Sequence, residues 1–522
     1  MHMLTRYIFT SSQRLIFLLS FFITLFFNQT FFAKLFQFAW VEQNYTVLLS
    51  APLVLILLFM AILNIVLALT HRYTFKSVMI FLLFLSASTS YFIDSFGTII
   101  DKNMITNMIQ TDSAEVFDLM TPKLLFYLLI GAILPSLLLH RTRVNFDSYR
   151  FEVIQKCFMA ILLVGISITL YMGLSKVYSS FFRNHHELKM YLNPYYPITS
   201  SIKFITVNIK EKKALVPIGL DAIKPMDEPK KLMILVVGET ARAENFSLNG
   251  YRTQTNPLLQ SRQDIVNFSN FYSCGTATAL SIPCMFSKFS REEFNDDKYA
   301  YENLIDVAQR AGVRVIWRDN NSGGSKGIAD RVKDVRYYGG KEFDEILLQG
   351  LQESIAERHE DTLIVLHQEG SHGPTYYKRY PDNFKKFTPT CDTQDLEKCS
   401  QEQIVNTYDN TILYTDYVIN EAIKLLEKNE KNYQTSLFYV SDHGESLGEN
   451  GVYLHGIPYF IAPEAQKHVP ALFYLGNGNE NLKKLIAKKS EKLSHDNLFH
   501  TILGVFKVQT SEYNPQLDIN TL

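Results

Sequence analysis

The stretch SCGTATALSIPC, Ser273 to Cys284, holds two threonine hydroxyls, Thr276 and Thr278, between two cysteines in a chain that has only five cysteines. A threonine hydroxyl is a poor nucleophile at neutral pH. Beside a divalent cation it becomes a good one, because the cation lowers the pKa of an oxygen it holds by several units. Such chemistry needs a rigid turn. A disulfide from Cys274 to Cys284, with Gly275 at the bend and Pro283 at the exit, would supply one. A serine- and threonine-rich loop stapled for stability alone is the plainer alternative.

Cation donors are spaced widely along the chain: Glu239 after KKLMILVVG, Asp319 and Asn320 after VRVIWR, His367 in LHQEG, and Asp442 with His443 in SDHGES. A carboxylate, a hydroxyl, a second carboxylate and a histidine form a hard oxygen and nitrogen set suited to zinc. Taken singly they say little. Glu239 alone reads as a helix cap or a salt-bridged side chain, and Asp-His-Gly as a strand terminator. His372 in SHGP and His455 in LHG shift the balance, since glycine-flanked histidines on turns seldom serve as packing.

These residues need elements to bring them together. Apolar, β-branched runs at 230–239, 313–317, 362–367, 436–442 and 470–475 have the pattern of strands buried on both faces, and helical patterns, including 303–312, 345–359 and 404–429, lie between them. The alternation predicts an α/β domain with a mainly parallel sheet. Ligands of such sheets sit at the carboxyl ends of the strands, which is where each donor falls.

The front of the chain is different. Five segments, about 15–36, 46–70, 77–97, 122–140 and 157–175, reach the roughly 20 apolar residues that a bilayer requires. Arg6 and Arg14 precede the first, Arg72 and Lys76 separate the second and third, and Arg141, Arg143, Arg150 and Lys156 separate the fourth and fifth. The positive-inside rule then predicts a cytoplasmic N-terminus and a catalytic part outside. An oxidising exterior favours the pairs Cys274–Cys284 and Cys391–Cys399, leaving Cys157 as a free core thiol. The division expected is 1–176 a five-helix α-helical membrane domain, 177–229 interfacial helices, and 230–522 the α/β domain. A net charge of −1 over 522 residues offers no basic excess for nucleic acid.

GETARAENFSLNGY, SCGTATALSIPCMFS, WRDNNSGGSKGIADRV, HQEGSHGPTYY, SDHGESLGENGVYLHG and SHDNLFHTILG together resemble the membrane-bound phosphoethanolamine transferases that modify lipid A, a group that includes the mobile colistin resistance enzymes. The resemblance implies an alkaline phosphatase- and sulfatase-like fold and a nucleophile at Thr278, four residues after Cys274. It implies one tight zinc site on Glu239, Thr278, Asp442 and His443, with a second zinc near His372 and His455 left open. Asn320, Lys326 and His367 would line the phosphoryl region, His372 or His455 would donate a proton, and Asn107 and Glu115 would hold the ethanolamine head group. Phosphatidylethanolamine is the implied donor and lipid A the acceptor, in the bacterial inner membrane, with the chain acting as a monomer. Many relatives have cysteines where this chain has Ser325 and Ala329, so a looser Lys326 loop is expected. The rivals are a transferase with a core-sugar acceptor or a phosphoglycerol donor, and, from another class, a receptor or transporter with a sensing domain.

Overall fold

The computed structural model describes residues 8–110, 119–209, 214–226, 229–295, 300–476 and 482–520. The chain forms two compact units, one of Met1–Asp101 with Met120–Lys203 and one of Lys102–Leu119 with Phe204–Leu522.

In the first unit, helices α3 (Tyr45–Ala68), α4 (Phe75–Phe96), α6 (Pro122–Arg141) and α7 (Tyr149–Gly173) are each long and apolar enough to cross a membrane. The span expected at 15–36 is instead a pair, α1 (Ser12–Phe26) and α2 (Gln29–Val41), bent by 62°. Asn28 explains the break. Its buried amide donates to the carbonyls of Ile23 and Asn193 at 3.1 and 2.9 Å and accepts from the Asn193 N–H at 2.8 Å, so it replaces helical bonds with a side-chain knot. Within α6 a π-turn at Leu129–Ile133 precedes Pro135, whose missing N–H cannot serve the carbonyl one turn earlier. At Gly131 in that turn a Cβ would stand 2.8 Å from the Phe27 ring.

Two expectations for this unit change. Lys156 does not lie in a loop: it is inside α7, 2% exposed, and pairs with Glu152 at 2.9 Å. Cys157 is free but exposed on α7, so it is not a core thiol.

The second unit contains helix α5 (Lys102–Gln110) and an eight-stranded sheet. Its strands are β1 (Lys230–Gly238), β2 (Ile265–Tyr272), β3 (Arg314–Asp319), β4 (Asp334–Tyr337), β5 (Thr362–His367), β6 (Tyr433–Ser441), β7 (His468–Leu475) and β8 (Leu493–Ser494). They run in the order β8-β2-β7-β6-β1-β5-β3-β4. All are parallel except β7, which is antiparallel to both neighbours. The five predicted strands are present; β2, β4 and β8 were not foreseen. Strand β2 (IVNFSNFY) buries Val266, Phe268 and Phe271 between less buried positions, and its polar asparagines mask a strand that lies near the sheet edge.

A separate apolar core covers each face. On one side Val237, Val365 and Val440 meet Phe286, Leu304 and Leu498. On the other, Val236, Leu366 and Tyr439 meet Ile404, Tyr408 and Ile412 of α9 (Gln401–Glu427). Ser400 and Gln403 form a capping box that starts α9. With both faces buried, polar side chains are left to the strand ends.

Candidate active site and metal centre

Glu239 follows β1, Asp442 and His443 follow β6, and Thr278 is the first residue of helix α8 (Thr278–Met285), after Ala277 in extended conformation. The four side chains meet. Thr278 Oγ1 lies 3.3 and 3.2 Å from the two Glu239 oxygens and 3.3 Å from His443 Nε2. His443 Nε2 is also 3.3 Å from a Glu239 oxygen and from Asp442 Oδ2. Donors about 2 Å from one centre in a tetrahedron stand about 3.3 Å apart, so this spacing fits a zinc-sized ion. None of the four is more than 6% exposed. Among the described residues nothing hydrogen-bonds to Asp442 Oδ2, an orphaned buried oxygen that a cation would satisfy.

The electrostatics agree with a cation site. Burial, reinforced by Glu239, pushes the Asp442 carboxyl well above its usual range. Burial also disfavours charge on Glu239, but His443 outweighs it and holds the carboxylate below its ordinary value. Burial opposes charge on His443, and Glu239 overrides it and raises the ring. Two carboxylates confined with one imidazole call for positive charge.

The backbone that holds this cluster is constrained. Thr240 sits at φ +52° beside Glu239, a left-handed conformation costly for a β-branched residue, and its N–H reaches Asp442 Oδ1 at 3.3 Å. The Ser441 hydroxyl accepts from the Ala241 N–H and donates to the His443 carbonyl, each at 2.9 Å, so the ends of β1 and β6 are tied together. Cys274 and Cys284 are disulfide-bonded with Cα atoms 6.1 Å apart, which closes the turn that presents Thr278. Thr276 points elsewhere: its hydroxyl donates to the Ile457 carbonyl at 2.6 Å.

A family model described as Sulfatase matches residues 231–508, and one described as Phosphoethanolamine transferase EptA/EptB matches residues 58–209. The phosphoethanolamine transferase EptA of Escherichia coli K12 is 40% identical over 529 residues, covering 96% of this chain and 95% of its own. The chain belongs to the EptA phosphoethanolamine transferase family. The structure agrees along its whole length with the integral membrane EptA of Neisseria meningitidis, with TM-score 0.93, 34% identity and 98% of each chain covered. The periplasmic domain of EptC from Campylobacter jejuni is 52% identical over 59% of this chain and 97% of its own, with TM-score 0.56.

Around the Glu239, Asp442 and His443 cluster of this phosphoethanolamine transferase, the His455 ring lies 4.4 Å from the His443 ring and 5.6 Å from that of His372, centroid to centroid. His455 Nδ1 is 2.9 Å from Glu445, whose other oxygen accepts from the Tyr376 hydroxyl at 2.7 Å. Burial drives the His372 ring down to about 3, against the pull of Glu239, so it stands neutral. His367 faces Asp319 at 3.2 Å; Asp319 and its hydrogen bond outweigh burial and raise the ring.

The Lys326 ammonium folds back over Gly323, where a Cβ would come within 2.8 Å of it. Its loop is packed: Ser325 is buried and 3.3 Å from the Tyr337 hydroxyl, and Ile328, Ala329 and Val332 belong to the core. Asn320 turns its amide to Glu342 and Asp344, at 2.8 Å each. The asparagine that touches the cluster is its neighbour Asn321, which donates to Glu239 at 2.8 Å. In a tandem Asn-Asn no sequence signal says which one faces the site.

Asn107, on α5, accepts from the Ala279 N–H at 3.3 Å, next to Thr278. Glu115 lies outside the described residues. Cys391 and Cys399 form the second disulfide. Arg242 of GETAR is held by Glu244 and Glu449 at 2.6 and 2.7 Å, as a brace between loops. Glu445 and Tyr376 also shape the site; adjacency to SDHG and SHGP was the only hint the sequence carried.

Proposed function

We propose that this transferase moves phosphoethanolamine from phosphatidylethanolamine to a phosphate of lipid A through a covalent phosphothreonine at Thr278. Zinc would be held by Glu239, Thr278, Asp442 and His443, and when bound it supplies the Lewis acidity that makes a threonine hydroxyl nucleophilic. The observation that carries this reading is the Thr278 oxygen, 3.2–3.3 Å from Glu239 and His443 at a helix N-terminus.

In the first step Thr278 gives up its hydroxyl proton to solvent, its Oγ1 bonds to phosphorus and the bond to the diacylglycerol oxygen breaks. His455, oriented by Glu445, delivers the proton to that oxygen, since His372 stands neutral. In the second step a lipid A phosphate oxygen bonds to phosphorus and the threonine oxygen leaves. Lys326 offsets charge on the phosphoryl oxygens, and Asn107, with Glu115, holds the ethanolamine. The chain acts as a monomer in the bacterial inner membrane. Residues 1–176 span it, 177–229 lie at its surface, and 230–522 face the periplasm.

Capping a lipid A phosphate adds an ammonium, which weakens attraction for cationic peptides such as polymyxin, most at low ionic strength. The test is lipid A mass spectrometry and polymyxin survival in cells carrying the wild type, Thr278→Ala, Glu239→Ala or His443→Ala. Added mass and resistance should both disappear in all three variants. Resistance in the His443→Ala strain with unmodified lipid A would overturn the reading.

A further inference from the structure

The SHDN motif has no part in the chemistry above, yet its histidine lies against the site. We infer that His495 is a positioning residue that locks the turn carrying Thr278 to the strand end carrying Asp442 and His443. The inference rests on the assignment of Thr278 and of those two ligands.

Strand β8 pairs in parallel with β2, Leu493 opposite Phe271 and Ser494 opposite Tyr272, so the next residue, His495, emerges beside the start of the Cys274–Cys284 turn. Ser494 and Asn497 form a capping box around His495 and fix its backbone. The ring is 1% exposed. Its Nδ1 accepts from the Cys274 N–H at 3.0 Å, and its Nε2 donates to the Ser441 carbonyl at 3.0 Å. An amide can only donate and a carbonyl can only accept, so the ring must be neutral with its proton on Nε2. Burial, which lowers this histidine to about 3, agrees.

The two ends of this tie are the parts that must stay in register. Cys274 is disulfide-bonded to Cys284 of α8, which begins at Thr278. Ser441 grips Ala241 and His443 through its hydroxyl. Ser281, also on α8, donates to the Asp442 carbonyl and lies 3.4 Å from His495 Nδ1, making a second link beside the first. One imidazole therefore spans the nucleophile's turn and the ligand strand without touching substrate.

The experiment uses the full chain in detergent with phosphatidylethanolamine as donor, comparing wild type, His495→Phe, His495→Asn and His495→Gln. Phenylalanine keeps a planar ring, of somewhat larger volume, and removes both bonds. Asparagine places an acceptor near the Nδ1 position, and glutamine a donor near Nε2. Misplacing reacting groups lowers turnover, so His495→Phe should reduce kcat on the order of 10- to 100-fold with donor KM within about twofold of wild type. Asparagine and glutamine should fall between. Bound zinc, followed under chelator challenge, should leave the phenylalanine variant faster than the wild type.

A folded His495→Phe with wild-type kcat and zinc retention would overturn the inference, as would a lower melting temperature with unchanged kcat below it. If the phenylalanine variant fails to fold, wild-type kcat and zinc retention in both the asparagine and glutamine variants would overturn it instead. Thr278→Ala is run alongside. Activity in that variant would defeat the nucleophile assignment, whereas an inactive Thr278→Ala with a fully active His495→Phe would defeat only the tie.

Discussion

At the residue scale, the two threonines of the cysteine-bounded turn separate by where their hydroxyls go. Thr278 faces Glu239 and His443, so Thr278→Ala should leave no phosphoethanolamine adduct on the protein by peptide mass spectrometry. Thr276 spends its hydroxyl on the Ile457 carbonyl, so Thr276→Ala should keep transfer and lose about 1 kcal/mol of stability. Spacing alone left both open; the family resemblance pointed to Thr278, and only the third dimension gives Thr276 another partner. A residue remote from the chemistry offers a pH test. Asp416 is pushed up to about 7 by burial, although it accepts from the N–H groups of Leu258 and Leu259. Unfolded, it releases its proton near pH 4, so the folded state holds a proton that the unfolded state has lost. Its contribution to stability is therefore present at acid pH and disappears as pH rises from about 4 through 7. Relative to Asp416→Asn, the wild type should lose on the order of 3 kcal/mol between pH 5 and 8, read from paired thermal midpoints.

At the element scale, the strand ends work because glycines let backbones close in. A Cβ at Gly444 would stand 2.0 Å from the Ala465 carbonyl oxygen, and no flexible side chain can yield there. The Gly444 and Glu445 N–H groups bond to the Gln466 and Ala465 carbonyls at 3.0 and 2.9 Å. Gly444→Ala should cost about 1–3 kcal/mol and displace His443, seen as a lower melting temperature together with lost zinc. The Cys391–Cys399 loop precedes α9 and supplies nothing to the cluster. Replacing both cysteines with serine should lower stability by about 2–3 kcal/mol and leave transfer near wild type in the same assays. Elements with a uniform pattern were legible: the five aliphatic runs became strands, and the long 404–429 pattern became α9. What was not legible depended on partners far away in sequence. The bend at Asn28 needs Asn193, the order of strands needs the whole sheet, and the helix expected over 345–359 divides at Gly350, which takes φ +74°.

At the scale of the whole molecule, hydropathy and arginine placement defined a membrane half, and the described residues supply four long apolar helices and a bent pair for it. Orientation can be tested by thiol labelling in a Cys157→Ser background, with both disulfides intact. Cysteine at exposed Ser148 should resist a membrane-impermeant reagent in spheroplasts, and cysteine at exposed Lys428 should react. The reverse pattern would turn the proposed topology over. What sequence order concealed most was membership: α5, coded between two spans, belongs to the same compact unit as the sheet. Its Asn107 accepts from the backbone N–H of Ala279, a contact that does not use the side chain at that position. Exchange of genes between relatives meets two different obstacles here. A crossover near residue 204 would join a foreign α5 to a resident catalytic domain, and the amide contact would then ask for an acceptor at position 107 alone. A catalytic domain excised at the same point keeps the sheet and the clustered side chains but lacks α5, and with it Asn107.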